Sequence, residues 1–265
     1  VSIRGQGSPL LLLNGLGGLI RTFDPLRDEL VGYRTITLDV PGVGKSQMPR
    51  WPMRLPRHAD LIAEMLKQLG IEQVDVFGVS WGGALAQEFA LRYPGMVRRL
   101  ILAATSAGPA MLVKPADILD FFRSSKRVKP GKQEGSSNSL QTLLRFGVVN
   151  GMLTANPRTY YHQLAALVGW TSLLRLFRLR QRTLILTGER DTPVRLYNAH
   201  ILHRTIRRAE LHVLQGEGHF FVVTSARRTA EAIREFLSQQ HDDEEPALMI
   251  ANGMYKPRLQ PSERN

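Results

Sequence analysis

The sequence predicts an α/β fold with a mostly parallel central sheet flanked by helices. Apolar runs typical of strands alternate along the chain with helical patterns, which favours strand–helix–strand crossovers. Residues 10–13 are all leucine, as expected for a strand that is buried on both faces. The 265 residues are 43% hydrophobic, which is enough for one sizeable core.

Six short apolar runs are predicted as strands because turn residues bound them. Residues 74–79 lead directly into a turn at Ser80, and residues 183–188 end in a glycine. Val1 also lies in a strand-like run, so the chain is expected to begin inside a strand. The six predicted strands are 10–13, 34–40, 74–79, 97–103, 183–188 and 210–214.

Three helices are predicted from the spacing of apolar residues. In 57–69 the apolar side chains fall on one face, and Gly70 is a natural stop after it. Residues 83–91 are rich in alanine, and Pro94 ends that segment. A last amphipathic helix is expected at about 225–239, where alanine, isoleucine, phenylalanine and leucine share the inward face.

The alternation of strands and helices stops between about 108 and 180. Stretches rich in Pro, Gly and Ser, near 129–139 and at Asn156-Pro157, separate helical-looking pieces there. The order sheet, insert, sheet is that of the α/β-hydrolase fold, with a helical cap inserted after the sixth strand. The predicted parts are a core of 1–107 and 181–240, a cap or lid at 108–180, and an irregular tail at 241–265.

Ser80 is the centre of a Gly-x-Ser-x-Gly pattern, residues 78–82, between a predicted strand and a predicted helix. In such a turn the serine is strained and its hydroxyl is exposed, while the glycines let strand and helix approach each other. The pattern alone arises by chance in many chains, and a plain strand–turn–helix connection is the alternative. The flanking elements favour Ser80 as a nucleophile.

A serine hydroxyl is a weak nucleophile, so it needs a base that is oriented by an acid. In this fold the order is Ser, then Asp or Glu, then His, each after a strand. Asp191 follows the strand at 183–188 and is the predicted acid, with an Asx-turn role as the alternative and Glu189 as the nearest competitor. His219 lies in a glycine-flanked loop after the last strand and is the predicted base.

Two backbone N–H groups are expected to form an oxyanion hole. One belongs to Trp81, the residue after the serine. The other is predicted at Leu16, in the loop 14–18 that follows the first leucine-rich strand. Other hydrolases have His-Gly in this loop, and here Asn14 replaces the His. A merely flexible glycine loop is the alternative.

Several other classes of site are not supported by the sequence. The chain has no cysteine, which excludes disulfides and thiolate sites, and no apolar run approaches the roughly 20 residues of a membrane span. Residues 42–46 end like a phosphate-binding loop, but Asp39 stands where the motif needs glycine. His200 and His203 lack the carboxylates or cysteines of a metal site. No metal and no cofactor are predicted.

The net charge of +12 is concentrated in the insert 108–180, where Lys and Arg far outnumber Asp and Glu. No nucleic-acid recognition motif accompanies this charge, so no nucleic-acid partner is predicted. An anionic surface, such as lipid or a coated particle, is one interpretation of the basic insert. An ordinary solvated surface is the other.

Four stretches carry a resemblance to a known family. Residues 39–44, 78–87, 102–105 and 169–172 resemble the intracellular medium-chain-length poly(3-hydroxyalkanoate) depolymerases, and the similarity extends from about 9 to 239. The resemblance implies Ser80 as nucleophile, His219 as base and Asp191 as its partner. It implies an ester substrate of (R)-3-hydroxyacyl units and attachment to cytoplasmic storage granules. The sequence departs from the family in its basic, polar stretch at 126–139 and in its tail.

The apolar residues of the cap are expected in part to line an acyl-binding cleft and in part to contact a polymer surface. Met111 and Trp170, with Phe220 beside the predicted base, are the candidate substrate contacts. Packing of the cap onto the sheet is the alternative for each cap residue. A small-molecule carboxylesterase or lipase, an acyltransferase and a non-catalytic granule-binding protein remain as alternative functions, and the sequence does not determine the oligomeric state.

Overall fold

A central sheet of seven strands organises the computed structural model, which describes residues 1–108 and 157–239. The strand order is β1-β3-β2-β4-β5-β6-β7, and every neighbouring pair is parallel except β1 and β3. The strands are β1 Ser2–Arg4, β2 Ser8–Leu13, β3 Tyr33–Thr37, β4 Val74–Val79, β5 Val97–Ala103, β6 Arg182–Gly188 and β7 Ala209–Leu214.

Helices follow most of the strands and cross back over the sheet, as parallel pairing requires. In the part of the chain that the structure describes, the short 3-10 helices are Ile20–Phe23, Pro94–Met96 and Leu173–Arg178. Within the described residues the α-helices are α1 Asp24–Glu29, α2 Leu55–Gln68, α3 Trp81–Arg92, α4 Pro157–Leu167, α5 Leu196–Thr205, α6 Phe221–Thr224 and α7 Ala226–Ser238. None of them is long and apolar enough to cross a membrane.

The core consists of two apolar layers, one on each face of the sheet. Leu11 and Leu13 point into the layer that contains α2, α3 and α5, whereas Leu10 and Leu12 point into the layer of α1 and α7. All four leucines are at most 1% exposed. Alternate residues of a strand face opposite sides, so a strand covered on both faces must be apolar throughout. This explains the continuous leucine run.

The predicted fold is confirmed, with its strands at or close to the expected positions. The strands predicted at 74–79 and 97–103 have those bounds, and the predicted last helix is α7. The sequence predicted the insert after the sixth strand, and this is wrong because only five strands precede residue 108. The insert instead follows the fifth strand, β5.

The inserted segment is described only from residue 157 onward, where it contains α4 and the 3-10 helix Leu173–Arg178. The cap boundaries at 108 and 180 therefore stay a prediction. The stretch 109–156 and the tail 241–265 lie outside the described residues.

The carboxyl ends of β2, β4, β6 and β7 meet at one edge of the sheet because these strands are parallel. The loop 14–18 and residues Ser80, Asp191 and His219 follow these four strands in turn. Strand order reverses between β2 and β4, and the crevice at such a reversal is the usual ligand site of α/β sheets. The topology thus collects the predicted triad residues and the loop 14–18 at one edge.

Gly82 should not tolerate a side chain. An added Cβ would overlap the carbonyl oxygens of Leu13 and Asn14, because α3 begins in direct backbone contact with the end of β2. We expect Gly82→Ala to lower the free energy of unfolding by about 1–3 kcal/mol through overpacking. Urea unfolding measures this, with Gly95→Ala as the control, since no atom lies within 4 Å of a Cβ there. Equal stability of the two variants would contradict the prediction.

Candidate active site

Ser80 occupies a strained turn between β4 and α3. Its φ of 54° and ψ of −117° lie outside the regions that a non-glycine residue normally adopts. The turn is held from both sides: the Ser80 N–H donates to the Ala103 carbonyl at 2.9 Å, and the Ser80 carbonyl accepts from Thr105 Oγ1 at 2.8 Å. The half-buried serine therefore sits at the N-terminus of α3, where the helix dipole favours negative charge.

Asp191 and His219 form a hydrogen-bonded pair at the ends of β6 and β7. His219 Nδ1 lies 2.8 Å from Asp191 Oδ2 and 3.0 Å from Oδ1. The Asp191 side chain is fully buried, and its Oδ1 also accepts the Val194 N–H at 2.8 Å. An ionised carboxylate can only accept, so this contact requires the proton on Nδ1 and leaves Nε2 as the basic nitrogen.

The loops that carry the two residues are tied to each other. The Arg190 N–H donates to the Glu217 carbonyl at 2.8 Å, two residues before His219. The competing acid, Glu189, is exposed and accepts the Gly216 N–H at 2.8 Å. Of the two acids considered from the sequence, the structure therefore pairs Asp191 with the histidine.

The loop 14–18 lies against Ser80. A Cβ on Gly15 would stand 3.4 Å from the Ser80 Cβ, in ordinary contact. Asn14 folds this loop, since its Nδ2 donates to the Leu19 carbonyl at 2.8 Å. In the described part of the chain, the backbone N–H groups of Leu16 and Trp81 have no hydrogen-bond acceptor. Among the described residues both N–H groups are therefore available, and their role as oxyanion donors stays a prediction.

The Trp81 indole is buried between the core and the inserted segment. Its Nε1–H donates to the Gln163 carbonyl on α4 at 2.8 Å, and the His58 ring packs against it edge to face at 5.4 Å. Burial of His58 lowers the pKa of its imidazole from 6.5 to about 4. His58 is therefore neutral at pH 7, and its packing against Trp81 is apolar in character.

The three candidate substrate contacts have different surroundings. Phe220 is half-buried beside the base, with its ring centroid 5.6 Å from that of His219. Trp170 is only 6% exposed, and its indole N–H donates to Glu88 Oε2 at 2.9 Å. Glu88 lies seven residues beyond Trp81 on α3, about 10 Å along the helix. Trp170 is thus an anchor of the inserted segment rather than a surface for substrate, and Met111 lies outside the described residues.

The structure agrees with the rejection of a phosphate-binding loop and of a metal site at His200 and His203. The turn 39–46 is closed by Ser46 Oγ, which donates to the Asp39 carbonyl at 2.6 Å, while Asp39 Oδ1 accepts the Ile20 N–H. His200 and His203 are exposed on α5. Within 1–108 and 157–239, no group of three or more His, Cys, Asp or Glu residues could hold a metal ion.

Sequence reasoning missed Gln163 and His58, which both contact the Trp81 side chain. Each lies on an amphipathic helix and belongs to no motif. Polar residues on the otherwise apolar face of a helix are the only signal that could have singled them out.

Comparison with known proteins places the chain among hydrolases. Residues 8–226 match the family described as the alpha/beta hydrolase fold. The chain is 38% identical over 242 residues to the poly(3-hydroxyalkanoate) depolymerase of Ectopseudomonas oleovorans, covering 88% of this chain and 85% of that protein. It is 27% identical over 255 residues to a 2-hydroxymuconate semialdehyde hydrolase of Pseudomonas sp. (strain CF600), covering 89% and 88% of the two chains.

Among solved structures, a thermophilic esterase from Thermogutta terrifontis superimposes with a TM-score of 0.73 at 26% identity. The superposition covers 89% of this chain and 91% of the esterase. The match extends over nearly the full length of both proteins, so it concerns the whole sheet and not a shared motif alone.

His58 should make stability depend on pH. Its pKa is about 4 in the folded protein against 6.5 unfolded, so its contribution is complete above pH 6.5 and is lost as the pH falls from 6.5 towards 4. We expect this residue to cost the native protein about 2 kcal/mol of unfolding free energy between pH 7 and pH 5. Urea unfolding at the two pH values should show that His58→Phe reduces the loss by that amount.

The exposed histidine His200 provides the matched control for this measurement. His200→Gln should lose as much stability as the native protein between pH 7 and pH 5. An unchanged pH dependence in His58→Phe would contradict the assignment of the loss to His58.

Proposed function

The chain belongs to the α/β-hydrolase family, and we propose that it hydrolyses the ester bonds of medium-chain-length poly(3-hydroxyalkanoate) through an acyl-serine intermediate. The observation that carries the proposal is the buried Asp191–His219 hydrogen bond at the sheet edge where Ser80 sits in a strained turn. The 38% identity to a poly(3-hydroxyalkanoate) depolymerase directs the choice of substrate. The products would be (R)-3-hydroxyalkanoic acids or their oligomers.

Ser80, His219 and Asp191 share the chemistry in this proposal. Ser80 Oγ attacks the ester carbonyl carbon, and His219 Nε2 accepts the hydroxyl proton. Asp191 keeps the proton of His219 on Nδ1 and stabilises the imidazolium that forms. The alcohol end of the cleaved bond leaves with the proton held on Nε2. A water molecule, activated by the same nitrogen, then hydrolyses the acyl-serine.

The negative charge that develops on the carbonyl oxygen needs donors that are in place before the reaction. The Leu16 and Trp81 N–H groups fill this role in the proposal. Trp81 follows Ser80, Leu16 follows Gly15, which lies against Ser80, and neither N–H has an acceptor among the described residues. The helix dipole at the N-terminus of α3 also stabilises negative charge at this position. No metal or organic cofactor enters this mechanism.

A small soluble ester is the second candidate substrate, because the chain superimposes on the Thermogutta terrifontis esterase along most of its length. The same acyl-serine could also pass its acyl group to an alcohol. The two enzyme classes use one triad, so only the accepted substrates and products distinguish them.

The inserted segment offers a surface that suits a polyester granule. The apolar side chains of Val168, Leu174 and Phe177 are 65%, 80% and 51% exposed. Arg178 stacks on the Phe177 ring at 5.6 Å and so places a cation beside one of these side chains. Apolar side chains next to cations would favour a hydrophobic polymer with an anionic coat. We propose that these exposed side chains form one patch and that this patch attaches the protein to storage granules in the cytoplasm.

Substitution of the triad tests the proposed chemistry. Ser80→Ala should abolish release of 3-hydroxyalkanoic acids from a medium-chain polyester suspension, as well as labelling by a serine-directed phosphonate. Asp191→Asn should lower kcat by about 10,000-fold, because the histidine would adopt the wrong tautomer. Glu189→Gln is the matched control and should keep the native kcat, since that carboxylate is exposed and bonded to Gly216.

Product analysis by mass spectrometry separates the candidate substrates. Release of soluble acids or oligomers from the polymer supports the depolymerase, whereas activity confined to short soluble esters selects the second candidate. Polymer cleavage that persists in Ser80→Ala would contradict the mechanism itself.

The granule patch is tested apart from the chemistry. Each of these aliphatic side chains contributes about 1–2 kcal/mol when it is buried, so Val168→Ser with Leu174→Ser should lower partition onto amorphous polyester granules by about tenfold or more. Turnover of a soluble aryl ester should not change. Val31→Ser is the control, since Val31 is also 80% exposed but precedes β3 at the opposite edge of the sheet. Equal sedimentation of both variants with granules would refute the patch.

A further inference from the structure

Gln163, on α4 of the inserted segment, bonds to both loops that supply the proposed oxyanion donors. Its side-chain Oε1 accepts the Gly17 N–H at 2.8 Å, next to Leu16. Its backbone carbonyl accepts the Trp81 indole N–H, also at 2.8 Å. Gln163 is 2% exposed, so neither contact competes with water. These partners are remote in sequence, and no motif relates them.

We propose that Gln163 is a positioning residue that holds the oxyanion hole in its working geometry, an inference that rests on the proposed function. Gln163 acts through Leu16 and Trp81, and it belongs to the segment that covers the sheet rather than to the sheet itself. The two hydrogen bonds of Gln163, rather than the attachment of α4 as a whole, therefore set the geometry of the hole.

The loop 14–18 needs such a contact because its backbone has freedom of its own. Gly17 has a φ of 69°, in the left-handed region, and glycines flank Leu16 on both sides. Chains of this composition exchange readily among conformations. The Gly17 N–H belongs to the peptide group directly after Leu16, so fixing its direction restricts rotation about Leu16. A loop without this bond would spend part of its time with the Leu16 N–H turned away from Ser80.

The second contact fixes the other donor. The Trp81 ring lies between the His58 ring, 5.4 Å away, and the Gln163 carbonyl. Trp81 is only 4% exposed, so its ring has no room to change rotamer without moving α4. Because ring and backbone N–H belong to one residue, this packing also restrains the N–H that follows Ser80.

A neighbouring residue provides a matched comparison. Thr159, one turn earlier on α4, donates its hydroxyl to the Gly42 carbonyl at 2.6 Å. This bond also ties α4 to the core, but it ends on the turn 39–46 and not on either donor loop. Loss of the Thr159 bond should therefore weaken the attachment of α4 without changing the hole directly.

The experiment compares Gln163→Leu and Trp81→Phe with Thr159→Val in the full chain. Gln163→Leu removes the acceptor for Gly17, and Trp81→Phe removes the indole donor while it keeps an aromatic ring. For each protein we measure kcat and KM on a soluble acyl ester, thermal unfolding, and the Ki of an alkyl trifluoromethyl ketone. Ser80 Oγ adds to the ketone carbon, the carbonyl electron pair moves to oxygen, and His219 takes the serine proton, so the adduct places an oxyanion in the hole.

The first two variants should lose about 10- to 100-fold in kcat, less than the roughly 100- to 1,000-fold typical when a hole donor is deleted. Their KM should not change. The Ki should rise by the same factor as kcat/KM falls, because both quantities depend on how well the hole stabilises the oxyanion. Thr159→Val should keep the native kcat and Ki even where its unfolding temperature drops.

Native kcat and Ki in Gln163→Leu and Trp81→Phe would overturn the inference and leave the proposed function intact. So would a loss confined to KM, which would make Gln163 a substrate-side residue. A native protein that neither hydrolyses the ester nor binds the ketone would overturn the proposed function and this inference together.

Discussion

Ser80 has a backbone conformation that costs on the order of 1–3 kcal/mol in a non-glycine residue, and it persists because its surroundings leave it no alternative. Its N–H is bonded to β5 through the Ala103 carbonyl, and its own carbonyl is bonded to Thr105. The start of α3 meets the end of β2 at Gly82, where even a methyl group would overlap backbone oxygens. Strand, turn and helix are therefore held together, and the half-buried serine lies at the edge that also carries Asp191 and His219.

Asp191 and His219, on the loops after β6 and β7, are also held in place by hydrogen bonds. A fully buried carboxylate is costly unless its oxygens are satisfied, and here Val194 and His219 both bond to it. The tie between Arg190 and Glu217 holds the two loops at a fixed separation. The orientation of the imidazole thus follows from the pairing of β6 with β7, and not from the histidine loop alone.

Buried polar contacts attach the inserted segment to α3, the helix that begins at the serine. Glu88 is 2% exposed and accepts from both Trp170 and Arg175 at 2.9 Å, while Ser172 donates to Gln87 at 2.6 Å. Removing one partner of such a cluster leaves a buried charge or acceptor unpaired, which costs more than the bond itself contributes. The stretch 169–172, which carries part of the family resemblance, therefore attaches the inserted segment to α3. Because α3 begins next to Ser80, these contacts fix the position of the inserted segment relative to the site.

The sequence by itself determined the sheet, most of its strands and the residues proposed for the triad, because each depends on neighbours close along the chain. An apolar run predicts a buried strand, and a residue directly after a parallel strand reaches the shared edge wherever that strand lies. The short α1 escaped prediction because an element of six residues carries too little pattern. Only the tertiary structure decided what Trp170 and Gln163 do. Trp170 looked like a substrate contact but bonds to Glu88, and Gln163 carried no signal although it reaches Gly17 and Trp81, 146 and 82 residues away. The direction of a buried side chain on the inserted segment depends on how that segment packs onto the sheet, and no local pattern encodes it.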